Sequence, residues 1–412
     1  MNVLILGGGP AGCAAAYQLR QRGVTDITLV EREPTLGGCA RTQLYENIPY
    51  EFGPQIMYTD EDRLRAVFEQ FLQQTPPPTS DHEYHPAVSV DGMLDDPHDF
   101  PVTVANVLKL PDPAQAIYEL YRLNLDRPDY SSFENYIISR MGRTLYETYI
   151  KNYNIKQWKI HPDQMDAEWA RFRALTLREK PDMFMGKWQG HPGNYNPMWD
   201  GMTRGVKRVR GEAAVSEDFQ RVTVDGSPVE ADLVISTLPL SRELDFINTC
   251  IIYVVLRSDE VVMPSYTTSF PNNHSFVRVI EYRQQYRVDS ESTLLDFEFP
   301  WVGECEEARY HEEVDAFCRD VLHRDVVARW VWNKEQVYPV STRKGIDRVK
   351  LQLDRAAASR VVPMGRSGVH AYCSKDTCIR MAMIVAQNLD ALSNCNVERK
   401  RAVFEQLREK LT

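Results

Sequence analysis

The chain has 412 residues, of which 43% are hydrophobic and 26% charged, enough apolar material for two or three substructures and too much for a disordered chain. A net charge of −10 argues against a general nucleic-acid binder, because such proteins need a basic face to release phosphate counterions. The eight cysteines show neither a CxxC pair nor a zinc spacing, and no apolar run approaches the roughly 20 residues of a membrane span, so free thiols, no metal site, no membrane association and a cytoplasmic location are expected.

Residues 2 to 31 predict one βαβ unit: Val3-Leu4-Ile5-Leu6, a glycine turn, an alanine-rich helix, and Ile27-Thr28-Leu29-Val30-Glu31. Gly7-Gly8-Gly9-Pro10-Ala11-Gly12 fits G-x-G-x-x-G at that strand-to-helix junction. Gly7, Gly9 and Gly12 there permit a tight turn and the close approach of a pyrophosphate to a helix N-terminus. Glu31, 19 residues past Gly12, is placed to accept from ribose hydroxyls. Leu36-Gly37-Gly38-Cys39-Ala40-Arg41 follows as a second glycine turn, with Gly38 and the cation Arg41 beside the expected pyrophosphate.

Pro76-Pro77-Pro78 and the Asp/Pro-rich stretch around 95 to 113 break periodicity, and helix-like spacing then begins at 114. From 218 onward short β-type runs dominate: Arg221 to Val224, Leu233 to Leu238, Cys250 to Leu256, Ser275 to Tyr282 and Thr293 to Phe299. Val361-Val362-Pro363-Met364-Gly365 and a long helix from about 376 can return to the first sheet. The expected fold is therefore α/β, a Rossmann-like FAD-binding domain with a helical insertion domain and a sheet-based substrate domain. Its parts are a discontinuous dinucleotide-binding domain (1–75, 205–245 and 345–412), a mainly helical insertion (105–204) and an antiparallel sheet (246–344).

The second glycine turn resembles the GG motif that follows the acidic residue in FAD proteins of the glutathione-reductase and amine-oxidase type, which favours FAD over NAD. Met364-Gly365-Arg366, followed by Asp376-Thr377-Cys378-Ile379, is similar to the late FAD segment of such proteins, making Gly365 and Asp376 cofactor-binding candidates. Phe133 to Glu147, ending in Gly142-Arg143-Thr144-Leu145-Tyr146-Glu147, resembles the G-R-x-L-Y-E stretch of UDP-galactopyranose mutases. Tyr153-Asn154-Ile155-Lys156-Gln157-Trp158 is similar to that family's Y-x-x-K-Q-W, and Lys187-Trp188-Gln189-Gly190-His191-Pro192 to its Y-Q-G-x-P. Recognisable pieces run from residue 3 to about 390.

The resemblance implies an isomerase that interconverts the pyranose and furanose forms of a nucleoside-diphosphate hexose, with reduced FAD as a covalent catalyst in a redox-neutral reaction. It implies Arg178, Tyr338 and Tyr372 as catalytic candidates around the diphosphate and sugar, and Tyr153, Trp158, Arg278 and Glu281 as substrate-binding candidates. Aromatic faces suit a nucleobase, guanidinium binds phosphate bidentately, and phenols donate without adding charge. A homodimer is left open.

Departures from the family pattern bear on the substrate. The family's G-P-H-I-F-H appears as Gly53-Pro54-Gln55-Ile56-Met57-Tyr58, its G-Y-R as Ile252-Tyr253-Val254, and the tyrosine before Q-G as Phe184. They leave the sugar and base open, with UDP-, GDP- and dTDP-linked hexoses as the panel. Three alternatives stand beside the flavin mutase: an amine-oxidase-type FAD oxidoreductase, a flavin-independent mutase using a divalent cation on the diphosphate, and a non-catalytic sugar-nucleotide-binding protein.

Overall fold

The computed structural model describes residues 1–72, 86–171, 176–179, 188–190, 193–340, 342–394 and 396–409. One layer is a five-stranded parallel sheet in the spatial order Val361–Pro363, Leu233–Ser236, Asn2–Leu6, Asp26–Glu31, Lys207–Arg210. Val3, Ile5 and Leu6 are fully buried, as a central parallel strand covered on both faces requires. Helix Pro10–Gln21 begins with proline in its first turn, where the missing N–H breaks no helical bond. Its buried Ala14, Ala15 and Ala16 keep one side slim, and helix Lys375–Gln387 packs against it.

A second layer is a seven-stranded sheet in the order Val326–Pro339, Phe246–Arg257, Ser292–Trp301, Arg278–Glu281, Thr267–Ser269, Ala87–Val88, His98–Asp99. All neighbours are antiparallel except Thr267–Ser269 with Ala87–Val88. Because side chains alternate across a strand, the register sorts residues onto two faces. One carries Ile251, Tyr253 and Val255 opposite Glu298, Asp296 and Leu294; the other carries Cys250, Ile252, Val254 and Leu256 opposite Phe299, Phe297, Leu295 and Thr293. Helix Glu307–Asp320 covers the second face, burying Tyr310, Val314 and Phe317 in one cluster with Cys250, Val254, Phe297 and Phe299. We refer to these as the site face and the helix face.

A third unit is helical. Ser132 caps helix Phe133–Met141 by accepting from the Asn135 N–H at 3.1 Å, and Asp112 does the same for Pro113–Tyr121 through the Gln115 N–H. A continuous helical run then leads through Asn152–Trp158 and stops at Lys159, which takes a left-handed φ of 53°. Phe133, Ile137, Tyr149, Trp158 and Trp169 form its core together with Ile247 and Val340 from the sheet.

Two expected boundaries differ. The sequence predicts a helical insertion ending at 204, yet Tyr195, Met198, Trp199 and Met202 bury in the core of the parallel sheet. Residues 1–75 were assigned whole to the first domain, yet Ile48, Tyr50 and Phe52 pack on the site face with Tyr253 and Tyr282. The 14-residue strand Val326–Pro339 falls within the expected antiparallel sheet of 246–344 but is not among the short β-type runs that the sequence singles out. It lies at the sheet edge, half-buried along most of its length, so its sequence lacks the sharp apolar alternation of an inner strand.

Candidate active site

The glycine turn after Asn2–Leu6 is built for close backbone approach. Gly7 has φ 96°, and a Cβ there would sit 2.2 Å from Thr237 Oγ1. A Cβ on Gly12 would lie 1.9 Å from the Gly7 carbonyl oxygen. At Gly9 the nearest atom to an added Cβ is Gly38 Cα at 4.0 Å, so this glycine borders open space at the start of the helix. Gly37 donates its N–H to the Gly8 carbonyl at 2.8 Å, which docks the second glycine turn onto the first. Glu31 accepts from the Gly8 N–H at 2.6 Å and the Glu33 N–H at 2.9 Å. Arg41 lies 3.8 Å from the Glu33 carboxylate and stacks over Phe52 at 4.7 Å. Gly365, φ 78°, lets the late turn press onto the first helix, where a Cβ would meet that of Ala11 at 2.6 Å.

The site face of the large sheet meets this cradle. Lys334 Nζ reaches to 3.9 Å from Cys39 Sγ, and Trp332 packs on Phe52 at 4.5 Å between ring centroids. Next to them Arg278 makes a largely buried ion pair with Glu298, Nε donating at 2.6 Å and Nη2 lying at 2.5 Å. Arg278 also donates to the Tyr338 hydroxyl at 3.3 Å, and that hydroxyl donates to Glu298 Oε1 at 3.2 Å. Arg366 stacks over both Tyr338, at 5.3 Å, and Tyr372, at 4.7 Å. Its Nη2 donates to the Cys373 carbonyl at 3.0 Å. Two guanidinium groups interleaved with two phenols thus gather in one region of an otherwise acidic protein, called the cleft below, and supply the donors that suit an anionic ligand, although Arg278 already has a partner in Glu298.

Buried acids back this cleft. Glu51 is fully buried; it accepts from Thr42 Oγ1 at 2.9 Å and from the Tyr286 hydroxyl. Burial pushes its carboxyl up to about 7, against the pull of those two hydrogen bonds. Asp296 accepts from the Tyr282 hydroxyl at 2.7 Å and is pushed up to about 8, chiefly by burial. Lys375 donates to Gln55 Oε1 at 2.9 Å and sits over the Tyr195 ring. Burial brings its ammonium down to about 7, although nearby Glu51 opposes the shift. Arg278 moves the other way: burial disfavours its charge, but Glu298 overcomes this and holds the guanidinium well above its ordinary value.

The sequence candidates distribute unevenly over this geometry. Arg278, Tyr338 and Tyr372 come together, and Tyr153 on helix Asn152–Trp158 lies close enough to Arg278 to interact electrostatically. Trp158 is 2% exposed, donates to Asn154 Oδ1 and sets its indole edge-on to Trp169 and Tyr338, so it supports the cleft wall and offers no free face for a base. Glu281 falls on the helix face, opposite in sense to Arg278, because the two are three residues apart on one strand. Its carboxylate accepts from the Val262 and Met263 N–H groups and Thr293 Oγ1, a structural role away from the cleft. Val254 also sits in the helix-face core, so a missing arginine there says nothing about phosphate binding. Asp376, in the first turn of its helix, is engaged by Ser374 and lies 3.9 Å from Arg380. The Arg178 backbone is pinned to Val102 and Val104. Phe184, Lys187, His191 and Pro192 lie outside the described residues, as does the Pro76-Pro77-Pro78 break.

Glu298, Glu51, Arg366 and Lys375 were not among the candidates. Glu298 and Asp296 carried a readable signal, since Leu295-Asp296-Phe297-Glu298-Phe299 places an acid at every second position of an apolar strand. Arg366 stood inside a motif already singled out. No local pattern marks Glu51 or Lys375.

Fold and cleft together define an α/β protein in which a Rossmann-like unit meets an antiparallel sheet, with two arginines and two tyrosines gathered at the junction. A family model for NAD(P)-binding Rossmann-like domains matches residues 5–71, and the family model for UDP-galactopyranose mutase matches residues 148–372, more than half of the chain. The chain belongs to the UDP-galactopyranose mutase family. It is 24% identical over 230 residues to a probable UDP-galactopyranose mutase of Klebsiella pneumoniae, covering 53% of this chain and 56% of that one. It is 22% identical over 232 residues to a dTDP-fucopyranose mutase of Escherichia coli, covering 54% and 59%. The chain thus spans somewhat over half the length of these relatives. A crystal structure of reduced UDP-galactopyranose mutase superimposes with a TM-score of 0.81 at 17% identity, covering 97% of this chain and 98% of that one. Among the described residues no helix is long and apolar enough to cross a membrane.

Proposed function

We propose that this protein interconverts the pyranose and furanose forms of a nucleoside-diphosphate hexose, with FAD as its cofactor. The observation that carries the reading is the pairing of Arg278 and Tyr338, on the sheet face, with Arg366 and Tyr372 from the late turn of the cofactor unit. The cradle fits a dinucleotide: Gly9 borders open space at a helix N-terminus, while neighbouring glycines have no room for a side chain. Gly7, Gly9, Gly12, Glu31, Gly38, Arg41 and Gly365 would hold the dinucleotide. The chemistry that a bound reduced flavin supplies there is a nucleophile for the anomeric carbon in a redox-neutral exchange.

The chain's own residues then hold and balance charge. Arg278 and Arg366 bind the diphosphate oxygens and stabilise the charge that grows as the bond to the anomeric carbon breaks. Tyr372 donates a hydrogen bond without adding charge, Tyr338 accepts from Arg278 and donates to Glu298 so that it fixes the guanidinium in place, and Tyr153 extends the site toward the nucleoside. Lys375, titrating near neutrality, can hold or release a proton beside Gln55. Trp158 and Trp169 keep water from the wall behind Tyr338 and Tyr372. The match over 148–372 covers the stretch that separates sugar mutases from amine oxidases, and the mutase reading is therefore the one carried forward.

The test is chromatographic separation of pyranose and furanose forms after incubation with UDP-, dTDP- and GDP-linked hexoses, with and without dithionite and with and without a chelator. Turnover that requires dithionite is expected. Turnover indifferent to dithionite but abolished by chelator would replace the flavin with a cation on the diphosphate, and tight nucleotide binding with no turnover would leave a binding protein. Gly9→Glu separates cofactor from fold: the folded variant should lose the flavin absorption of the purified protein and melt at the temperature of the wild type stripped of flavin.

A further inference from the structure

On the helix face, away from the cleft, three side chains from three different elements converge. Cys250 comes from strand Phe246–Arg257, Cys305 from the connection after strand Ser292–Trp301, and Glu307 from the first turn of helix Glu307–Asp320. Their two sulfurs and a carboxylate oxygen all lie within 4.8 Å of one another. Cys250 is fully buried, whereas Cys305 and Glu307 are partly exposed, so the cluster has a closed floor and an open mouth. Neither thiol is in a disulfide.

We propose that Cys250, Cys305 and Glu307 form a binding site for a divalent transition metal, zinc in the first instance, that pins helix Glu307–Asp320 to the sheet. Two thiolates and one carboxylate are a mixed soft and hard donor set that suits zinc and does not suit magnesium or calcium. Three protein ligands leave a fourth tetrahedral position at the exposed side for water. Asn333, directly across from Cys250 in the sheet and hydrogen-bonded to Cys305, closes the side toward Trp301, whose indole N–H it accepts at 3.0 Å.

A further polar side chain lies behind the ligands. His311, one helical turn beyond Glu307, places Nε2 at 3.8 Å from the Glu307 carboxylate. Arg329 donates to His311 Nδ1 at 3.2 Å, so a neutral ring carries its proton on Nε2, the nitrogen nearer Glu307. At that distance the two are not hydrogen-bonded, and His311 is a polar neighbour of the carboxylate within reach of small side-chain movements. No sequence spacing announces the site, because Cys305, in the connection that follows strand Ser292–Trp301, is brought near Cys250 by the antiparallel pairing of that strand with Phe246–Arg257.

The experiment uses the full chain, stripped with chelator under reducing conditions and titrated with Co²⁺ and Zn²⁺ alone. Stoichiometric Co²⁺ should give thiolate-to-metal charge-transfer absorption with tetrahedral visible bands, and Zn²⁺ should bleach them and raise the melting temperature. Cys305→Ser, at a partly exposed position that tolerates the change, should weaken Co²⁺ binding by at least about 10-fold, the scale that even supporting groups command. Glu307→Gln should weaken it less, and Cys318→Ala, on the same helix and outside the cluster, should leave it unchanged. Absence of charge-transfer absorption, wild-type affinity in Cys305→Ser, or a Cys250–Cys305 disulfide found by mass spectrometry in place of two free thiols would each overturn the proposal.

Discussion

The two faces of the seven-stranded sheet solve opposite problems with the same strands. The helix face is an ordinary core in which Phe297, Phe299, Val254 and Ile252 meet helix Glu307–Asp320, and the buried acid Glu281 there spends its lone pairs on local backbone and on Thr293. The site face buries Glu298, Asp296 and Glu51 among tyrosines and answers one of them with Arg278. A fold seeking stability alone would place apolar residues at these positions, because a buried ion pair seldom repays its desolvation. Concentrating charge and phenols on one face is the mark of a binding surface, and it costs stability there.

The comparison breaks most readily at Arg278. Arg278→Met leaves Glu298 buried without its cation, and removal of one partner of such a pair costs about 3–5 kcal/mol. We expect a lower unfolding midpoint, and at least an approximately 100-fold fall in kcat/KM for whichever sugar nucleotide the wild type turns over. A variant that stays stable and active would show that the cleft lies elsewhere.

Trp158→Ala should be nearly as damaging to stability, about 3–5 kcal/mol, because the indole is core to the helical unit. Calorimetry at a temperature where the variant remains folded should show an affinity for free nucleoside diphosphate within a few-fold of wild type. A large selective loss of affinity would return Trp158 to the role of base platform.

The buried acids predict an unusual pH profile. Glu51 is held near 7 against an ordinary 4.5, so between those values the folded state keeps a proton that the unfolded chain has released, and stability falls as pH rises, by about 1.4 kcal/mol per unit. Asp296 acts in the same direction from 3.8 to about 8. Lys375, lowered from 10.5 to about 7, acts in the opposite sense above neutrality. Urea unfolding from pH 4 to 8 should therefore show falling stability that Glu51→Gln flattens in part, with the variant more stable than wild type at pH 8. A wild-type profile that rises over this range would contradict the burial of these carboxyls.

The smallest effect should come from the helix face. Glu281→Gln keeps one acceptor oxygen for the Val262 and Met263 turn, and should cost about 1 kcal/mol while leaving nucleotide affinity unchanged. Its contrast with Arg278→Met, three residues earlier on the same strand, measures the difference between the faces directly.

Much of the cofactor unit was legible because its signals are local. Strand, glycine turn, alanine-rich helix and terminal Glu31 occupy 30 consecutive residues; Gly12 is constrained by the Gly7 carbonyl in the same turn and Gly9 faces the turn that docks on it, although Gly7 is crowded by Thr237 from a distant strand end. The basic cleft was legible in part: Arg278, Tyr338 and Tyr372 stand in motifs, but Glu281 was drawn in with them since a motif does not say which way a strand residue faces. Val254 went astray for the same reason. Whether a side chain serves the cleft or the core depends on the parity of its position within the sheet register, and register is a property of pairing between distant strands.

By itself, then, the sequence determined the βαβ dinucleotide unit, the alternation of helical and sheet regions, and a family likeness carried by Tyr153 to Trp158 and its neighbours. Only the tertiary structure decided that Ile48 to Phe52 and Tyr195 to Met202 cross the expected domain boundaries, and that Glu51 and Lys375 stand together behind the cleft. It alone also brought Cys250 to Cys305 and Glu307. The division follows from range: hydrogen bonds and steric limits within one turn act between residues adjacent in sequence, whereas burial, desolvation and charge pairing act between whatever residues the folded layers press together.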